Sequence, residues 1–274
     1  MTATGGRFGD LASSAVAVLR TSDPTAKADL SRRIAAGWRD RSIADIGHAE
    51  PPDRPARPDR PPLLAPREMP KRRAGGSLAG RIALLHALAH IELNAIDLAW
   101  DLIARFADAG LPRQFFDDWV CVADEEGKHF LLLRERLADL NAAYGDLPAH
   151  DGLWEAATET AGDLLARLAV VPLVLEARGL DVTPAMIDRL ESQGDEASAA
   201  VLKVIYQDEI GHVSTGRRWF EYLCADRGLP PEPTYHQLVR QYFRGQLKRP
   251  FNRSARDLAG FSAGFYEPLA SGGS

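Results

Sequence analysis

Cysteine is scarce in this chain of 274 residues, which contains Cys121 and Cys224 and no others. Two cysteines cannot form the disulfide framework of a small secreted domain, and they leave no thiolate set for a structural zinc site. This usage is typical of a reducing interior and predicts a cytoplasmic location. The chain also lacks a basic N-terminal segment followed by a long apolar run, and no stretch approaches the roughly 18 uninterrupted apolar residues of a membrane span. Neither export nor membrane insertion is expected.

An excess of positive charge is absent as well. The formal net charge is -5 and the sequence pI is about 5.8. Because phosphate-rich partners are bound through clustered cations, this balance argues against a surface-wide affinity for nucleic acid or anionic lipid. Apolar residues, in contrast, are plentiful: they make up 45% of the chain, which is enough for a sizeable core in a globular protein.

Strand-like alternation of apolar and polar residues is lacking too, and long helical periodicities take its place. Eight prolines between residues 51 and 70 disfavour both helix and sheet there. Ahead of them, Ser22, Asp23 and Pro24 suit a capped helix start. The sequence therefore predicts an all-α chain with four parts: a helical arm (1–50), a Pro/Arg-rich extended strap (51–77), a four-helix bundle (78–226) and a tail packing on the bundle (227–274).

Four long apolar-periodic segments predict the helices of the bundle, and turn-forming residues separate them. The stretches AGLP, YGDLPAHDG and RGLDVTP are interpreted as the breaks. A shorter helix is predicted at 184–193 and a tail helix near 234–246. Pro172 lies inside the third segment, where a kink or widened turn is expected. The four segments are 78–108, 113–141, 152–178 and 195–226.

Each of the four segments carries an acidic residue in the middle of its apolar face when it is wound at about 100° per residue. These acids are Glu92, Glu126, Glu176 and Glu209. A histidine, His129 or His212, follows one turn after the second and the fourth acid, which makes two Glu-x-x-His motifs. The acids of the first helix pair are 34 residues apart and those of the second pair are 33 apart. The pattern is thus a repeat rather than an isolated polar residue.

Four ionised carboxylates that converge in an apolar core repel one another and cost several kcal/mol each to desolvate. No lysine or arginine lies beside them on the same helical faces, whereas two divalent metal ions would neutralise them. Carboxylate and imidazole ligands favour iron, with manganese or a mixed Mn/Fe pair as alternatives. The competing interpretation is that each acid is an ordinary hydrogen-bonded core residue or a surface residue. The repeated pattern favours the six residues as metal ligands.

Neighbouring residues are predicted to complete the site. Glu125 precedes His129 by four residues, and Asp208 precedes His212 by four. Each carboxylate is therefore expected to accept the second ring N–H of the histidine on its own helix. The side chains predicted to line the cavity are Trp119, Phe130 and Tyr206.

Other polar residues on the same helices are assigned to packing or to solvent. His86 and His90 lie on a different face of the first helix, and we expect them to contact the arm or the strap rather than a metal ion. Asp124 and Lys128 are predicted to turn outward to water.

One Glu from each of two helices and Glu-x-x-His from the other two resembles the ligand set of ferritin-like di-metal carboxylate bundles. The phrases GRIALLHALAHIELNAIDLAWD, DEEGKHF, LEARGLDVTPAMIDRL and YQDEIGHVSTGRRWF, with RPARPDRP before and KRPFNRSARDLAG after, look like a bacterial ferritin-like family catalogued as a domain of unknown function. That family is distantly similar to tRNA-modifying di-iron hydroxylases that act on a modified adenosine. The resemblance implies a ferritin-like bundle with two metal ions held by Glu92, Glu126, His129, Glu176, Glu209 and His212.

The leading functional hypothesis is a di-iron oxidoreductase that activates dioxygen or peroxide, as a monooxygenase or hydroxylase of a small molecule or modified nucleoside. It would need an electron donor, which the sequence does not name, and a homodimer is compatible with the sequence. A rubrerythrin-like peroxidase or ferroxidase is the alternative, although the chain has no Cys-x-x-Cys module to supply electrons.

An alternative of another class is a non-redox metal-binding or RNA-binding scaffold. Binding of RNA or another anionic ligand would require cations beside the cavity mouth. A run of basic residues in the tail supplies candidates, with a solvated helix and turn as the competing interpretation. The candidates are Arg240, Arg244, Lys248, Arg249, Arg253 and Arg256.

Overall fold

A computed structural model describes residues 9–69 and 76–270. Within these ranges the chain is all-α, as predicted, and β pairing is confined to two isolated bridges, Leu63 with Ala149 and Leu247 with Ala270. Parts of three predicted segments lie outside the described residues: 1–8 of the arm, 70–75 of the strap and 271–274 of the tail.

The helices are numbered in chain order. Short 3-10 turns occur at Pro66–Glu68 and Glu267–Leu269, and a π-helical turn, Val171–Glu176, joins α6 to α7. The α-helices are α1 (Leu11–Leu19), α2 (Pro24–Arg39), α3 (Leu78–Arg105), α4 (Arg113–Asp139), α5 (Gly152–Glu159), α6 (Leu164–Val170), α7 (Ala177–Ser192), α8 (Glu196–Asp226), α9 (Pro231–Tyr242), α10 (Arg253–Leu258) and α11 (Ala263–Tyr266).

The long helices pack in antiparallel pairs. α3 packs on α4, and α7 packs on α8, in each case across a short connection. α4 and α8 are also antiparallel, because Arg136 pairs with Asp195 at 3.0 Å whereas Asp118 pairs with Arg218 at 2.6 Å. Residue numbers therefore fall along α8 as they rise along α4.

The connection between α4 and α6 runs along the length of α3. It begins near the start of α3, where the Gly145 amide donates to the His86 ring at 2.9 Å. It ends near the other end of α3, where the buried Arg167 guanidinium pairs with Asp101 at 2.6 Å. As a result α4 and α6 run in the same direction, and both oppose α3.

The third predicted helix differs most from the structure. Its segment, 152–178, is divided into α5 and α6, because Asp163 caps a new helix by accepting from the Leu165 amide at 2.9 Å. The predicted break at RGLDVTP is wrong: α7 continues through it to Ser192, so no separate helix exists at 184–193. Burial of Leu180 and Ile187 outweighs the low helix propensity of the glycine and proline in that stretch.

Pro172 produces the widened turn that the sequence predicts. The helix opens into the π-helical turn Val171–Glu176, which ends on the candidate ligand Glu176. Gly216 of α8 faces this turn, and an added Cβ there would lie only 2.4 Å from the Cβ of Pro172. The missing side chain at Gly216 therefore leaves room for the turn beside the candidate site.

A Gly216→Ala substitution is expected to lower the free energy of unfolding by about 1–3 kcal/mol, because the added methyl group overlaps Pro172. Gly211→Ala on the same helix is the matched control, since no atom lies within 4 Å of its added Cβ. That change should be neutral or stabilising by up to about 1 kcal/mol. Urea denaturation of both variants measures the difference, and equal midpoints would contradict the steric assignment.

The arm and the strap are pinned to the long helices by polar contacts. α2 begins at Pro24, as predicted, with Asp23 accepting from the Ala26 amide at 2.7 Å. From α2, the buried Lys27 ammonium reaches Asp97 of α3 at 2.5 Å. The strap is extended, and its Arg57 pairs with the same carboxylate at 2.6 Å. Asp97 thus joins α2, α3 and the strap.

The two histidines assigned to packing contact a different element from the one predicted. His86 accepts from the Gly145 amide, and the Nε2–H of His90 donates to the His150 carbonyl at 3.0 Å while the Tyr144 hydroxyl donates to its Nδ1 at 2.8 Å. All three partners belong to the connection after α4 and not to the arm or the strap. Neither ring contacts the candidate ligands.

α3 is long and apolar enough, by length and composition alone, to span a membrane. However, 67% of its most apolar window is buried within the protein. It also carries Asp97 and Asp101 in fully buried ion pairs on this packed surface. These features are those of a core helix.

Candidate metal centre

The structure brings the six predicted ligands together from four helical segments. Glu92 comes from α3, Glu126 and His129 from α4, Glu176 from the π-helical turn, and Glu209 and His212 from α8. Glu126, His129 and His212 are inaccessible or nearly so, with relative exposures of 0%, 0% and 1%. Helical periodicity explains why the six side chains converge, since each lies on the face of its helix that packs against the other helices.

Four of the residues form a compact group able to hold a metal ion. Glu92, Glu126, His129 and Glu209 each offer one ligand atom, and these atoms lie within 4.8 Å of one another. His212 adjoins this group, with its Nδ1 3.1 Å from Glu126 Oε1 and 3.6 Å from Glu209 Oε1. Glu176 borders the same cavity as the other three carboxylates. The number and kind of ions remain predictions.

The carboxylates predicted to orient the histidines do so across the helix pair. Asp208 of α8 contacts Nε2 of His129 at 2.9 Å, and Glu125 of α4 contacts Nε2 of His212 at 2.8 Å. The predicted pairing within each helix is therefore wrong. Each ring extends inward from its own helix toward the antiparallel neighbour, so its outer nitrogen meets the facing helix rather than the preceding turn.

Lys128 is a residue whose role the sequence interpretation missed. Its ammonium lies 2.5 Å from the Asp208 carboxylate that contacts His129. Although partial burial alone would raise it, the pKa of Asp208 is lowered to about 2 by hydrogen bonds from His129 and Lys128. No sequence pattern pairs Lys128 with Asp208, because the two lie on different helices. Asp124, also predicted to face water, pairs with Arg39 of α2 at 2.7 Å.

Burial and mutual repulsion set the protonation of the group. Burial, with repulsion by Glu126, raises the pKa of Glu92 well above its usual range, and burial with repulsion by Glu209 does the same for Glu176. Burial alone would lower the pKa of His129 and His212, but the surrounding carboxylates outweigh it and raise both pKa values. The metal-free protein therefore holds protons where metal ions would place positive charge.

The donor set fits divalent metal ions. Glu176 Oε2 and Glu209 Oε2 are buried and have no hydrogen-bond donor within the described part of the chain. Lone buried carboxylate oxygens are unfavourable unless a cation or a donor satisfies them. No lysine or arginine among the described residues forms an ion pair with the four candidate glutamates. Oxygen and imidazole donors without thiolate suit iron or manganese.

A cavity of about 190 Å³ lies against the carboxylates. Its walls are mainly apolar and come from α3, α7 and α8, including Ala95, Val182 and Leu202. The predicted lining residues lie elsewhere, which corrects that assignment. Trp119 packs beside Phe115, Phe130 packs edge-on against Tyr144, and the Tyr206 hydroxyl accepts from Asn252 at 2.9 Å. One wall of the cavity comes from the part of α7 in which the sequence predicted a break.

The basic residues of the tail are largely engaged by acids. Arg244 pairs with Glu159 at 2.6 Å, and Arg249 and Arg253 share Glu267. Arg256 is buried and pairs with Asp181 at 2.8 Å. Arg240 and Lys248 are exposed. Four of the six cations thus pair with three acids, and RNA binding by this run stays a prediction.

Comparison with known proteins places the chain in a family. Residues 20–267 match the profile of a family described as protein of unknown function, DUF455. The chain belongs to the DUF455 family. A relative from Haemophilus influenzae, described as an uncharacterized protein, is 43% identical over 210 residues, which are 75% of this chain and 73% of the relative. No solved structure matches. The family match includes all six candidate ligands.

Proposed function

We propose that this DUF455 protein is a di-metal carboxylate oxidoreductase with a ferritin-like bundle, which activates dioxygen to hydroxylate an organic substrate. The ligands would be Glu92, Glu126, His129, Glu176, Glu209 and His212, with iron as the metal and manganese or a Mn/Fe pair as alternatives. The balanced reaction is R–H + O₂ + 2 e⁻ + 2 H⁺ → R–OH + H₂O, with a separate reduced flavin or iron–sulfur protein as the electron donor. A bound di-iron pair would supply the two-electron chemistry with dioxygen.

The observation that carries this proposal is the convergence of four glutamates and two histidines, with no lysine or arginine among the described residues paired with the glutamates. Two divalent ions balance four carboxylates, whereas an ordinary core would contain none of these charges. The arrangement of the helices supports the ferritin-like assignment. The hairpins α3–α4 and α7–α8 are joined by one long crossover, the connectivity expected of that bundle.

The chain's own residues would prepare the site for metal ions. Asp208 and Glu125 accept the Nε2–H groups of His129 and His212, which fixes each ring with Nδ1 toward the carboxylates. Lys128 keeps Asp208 ionised for this purpose. Mainly apolar side chains surround the carboxylate side of the site. This arrangement orients the ligands before any ion arrives.

Anaerobic loading with Fe(II) tests the proposal. We expect about two iron atoms per chain and, on exposure to air, oxygen uptake with the absorption of an oxo-bridged ferric pair. Glu126→Gln should reduce the iron content by about tenfold or more, because Glu126 lies between both histidines. Glu135→Gln, on an exposed position of the same helix, is the matched control and should retain full iron content.

The other hypotheses give different results in this experiment. Reaction with hydrogen peroxide but not with dioxygen would support the rubrerythrin-like peroxidase. Stoichiometric metal without a reaction toward either oxidant would support a non-redox metal-binding scaffold. Full iron content in Glu126→Gln would overturn the ligand assignment.

A further inference from the structure

We propose that the cavity beside the carboxylates binds an apolar group of about six to eight carbon atoms, which belongs to a larger substrate whose polar part stays outside. This inference rests on the proposed function for its catalytic meaning, but the binding itself does not require metal. It assigns a chemical class to the substrate.

The walls of the cavity set the polarity of the ligand. Apart from the four glutamates, the polar side chains that border it are Arg178 and Thr183, and every other side chain on its lining is apolar. A polar group among the apolar side chains, out of reach of the four glutamates, would lose its hydrogen bonds to water without replacement, at a cost of roughly 1–3 kcal/mol for each group. An apolar group would lose none. The apolar part of the cavity therefore favours a hydrocarbon group over a polar one.

The volume sets the size. An apolar cavity of about 150 Å³ engineered in another protein stays dry and binds benzene. The cavity here, at about 190 Å³, accommodates a somewhat larger ring or branched chain. Sites that enclose a whole drug-sized ligand span roughly 300–1,000 Å³. This cavity is thus large enough for one substituent and too small for a nucleoside or a comparable molecule.

The position of the cavity relative to the candidate ligands sets the reacting group. Glu92, Glu126, Glu176 and Glu209 all border it, whereas neither histidine does. The two rings lie behind the carboxylates, with their outer nitrogens held by Asp208 and Glu125. A group in the cavity would consequently lie against the carboxylate side of the centre, with no side chain between.

The rim of the cavity differs from its interior. Ile91 is 41% exposed and marks the side open to solvent. The Arg178 guanidinium donates to the Lys248 carbonyl at 2.7 Å, so the tail forms one edge of the rim. Gly179 adds no side chain to the lining. A polar remainder of the substrate would meet Arg178 and Thr183 there.

Binding of 4-fluorotoluene, followed by ¹⁹F NMR on the metal-free and zinc-loaded full chain, tests the inference. We expect saturable binding of this probe and at least tenfold weaker binding of 4-fluorobenzoate, a probe of similar size that carries a charge. Ala95→Phe, which fills the interior, should weaken 4-fluorotoluene binding by at least tenfold. Ala87→Phe fills the outer part of the cavity and is the second variant if the first one does not fold. Ala200→Phe, on an exposed face of α8, is the matched control and should leave binding unchanged.

Absence of 4-fluorotoluene binding, equal binding of the charged probe, or unchanged binding in the folded cavity-filling variants would overturn the inference. Its failure is distinguishable from that of the proposed function. Probe binding together with no oxygen uptake by the iron-loaded protein would support the apolar ligand site and contradict the dioxygen-activating hydroxylase. Oxygen uptake without probe binding would support the proposed function and contradict the apolar ligand site.

Discussion

A Glu176→Gln variant, prepared without metal, is expected to unfold at a higher temperature than the native protein prepared without metal. When both proteins are loaded with metal, the variant should hold one ion per chain or none, whereas the native chain should hold about two. Glu176 Oε2 is buried without a donor in the described chain, and burial with repulsion by Glu209 raises the pKa of this carboxyl. Folding at neutral pH therefore forces the group to take up a proton. A neutral amide of the same shape needs no proton and therefore avoids that cost.

The sign of the pH dependence makes this prediction specific. A carboxyl whose pKa is raised in the folded state destabilises the protein above its unfolded pKa, which is about 4.3, and has no effect below it. The advantage of Glu176→Gln should therefore be present at pH 7 and vanish as the pH falls below about 4. Calorimetry and metal analysis at several pH values measure both effects, with Glu135→Gln as the exposed control. A metal-free variant less stable than the native chain at pH 7 would contradict the prediction.

Replacing Arg167 by methionine should cause the largest loss of stability, about 3–5 kcal/mol. Arg167 is 1% exposed, and its guanidinium pairs with the fully buried Asp101 at 2.6 Å. It also donates to Thr160 Oγ1 at 2.8 Å and to the Ala157 carbonyl at 2.7 Å. The substitution leaves Asp101 with the partly exposed Arg105 alone and removes the link between α3, α5 and α6.

The exposed ion pair between Arg244 and Glu159 provides the matched comparison. The Arg244 side chain is 86% exposed, and such pairs contribute about 0–1 kcal/mol. Arg244→Met should therefore change the unfolding midpoint in urea only slightly, whereas Arg167→Met should lower it strongly. Pairing Arg167→Met with Asp101→Asn should recover part of the loss, because the buried Asp101 charge that has lost its Arg167 partner is then absent. Similar midpoints for the two single variants would refute the assignment.

Much of the candidate site could be predicted from the sequence, because helical periodicity fixes which residues share a face. Glu92, Glu126 and Glu209 interrupt strongly apolar stripes, and the histidine three residues after each of the latter two necessarily lies one turn away. Pro172 likewise predicted the widened turn, since it lacks the amide that a regular helix requires. These are properties of a single helix and need no knowledge of its neighbours.

Properties that depend on two elements could not be predicted. RGLDVTP reads as a break by propensity, but burial of Leu180 and Ile187 carries α7 through it. Because the sequence predicted a break in α7, the prediction did not include Val182 and Met186 in the cavity wall and assigned the lining to other residues. Local composition cannot report how much apolar surface a neighbouring helix will cover.

The sequence by itself determined an all-α chain and the helix faces on which the six candidate ligands lie. Only the tertiary structure decided which carboxylate holds which histidine. Asp208 supports His129 and Glu125 supports His212 because α4 and α8 run antiparallel, so each ring reaches the facing helix. Periodicity gives the direction of a side chain from its own axis, whereas the partner at the end of that direction depends on packing between helices.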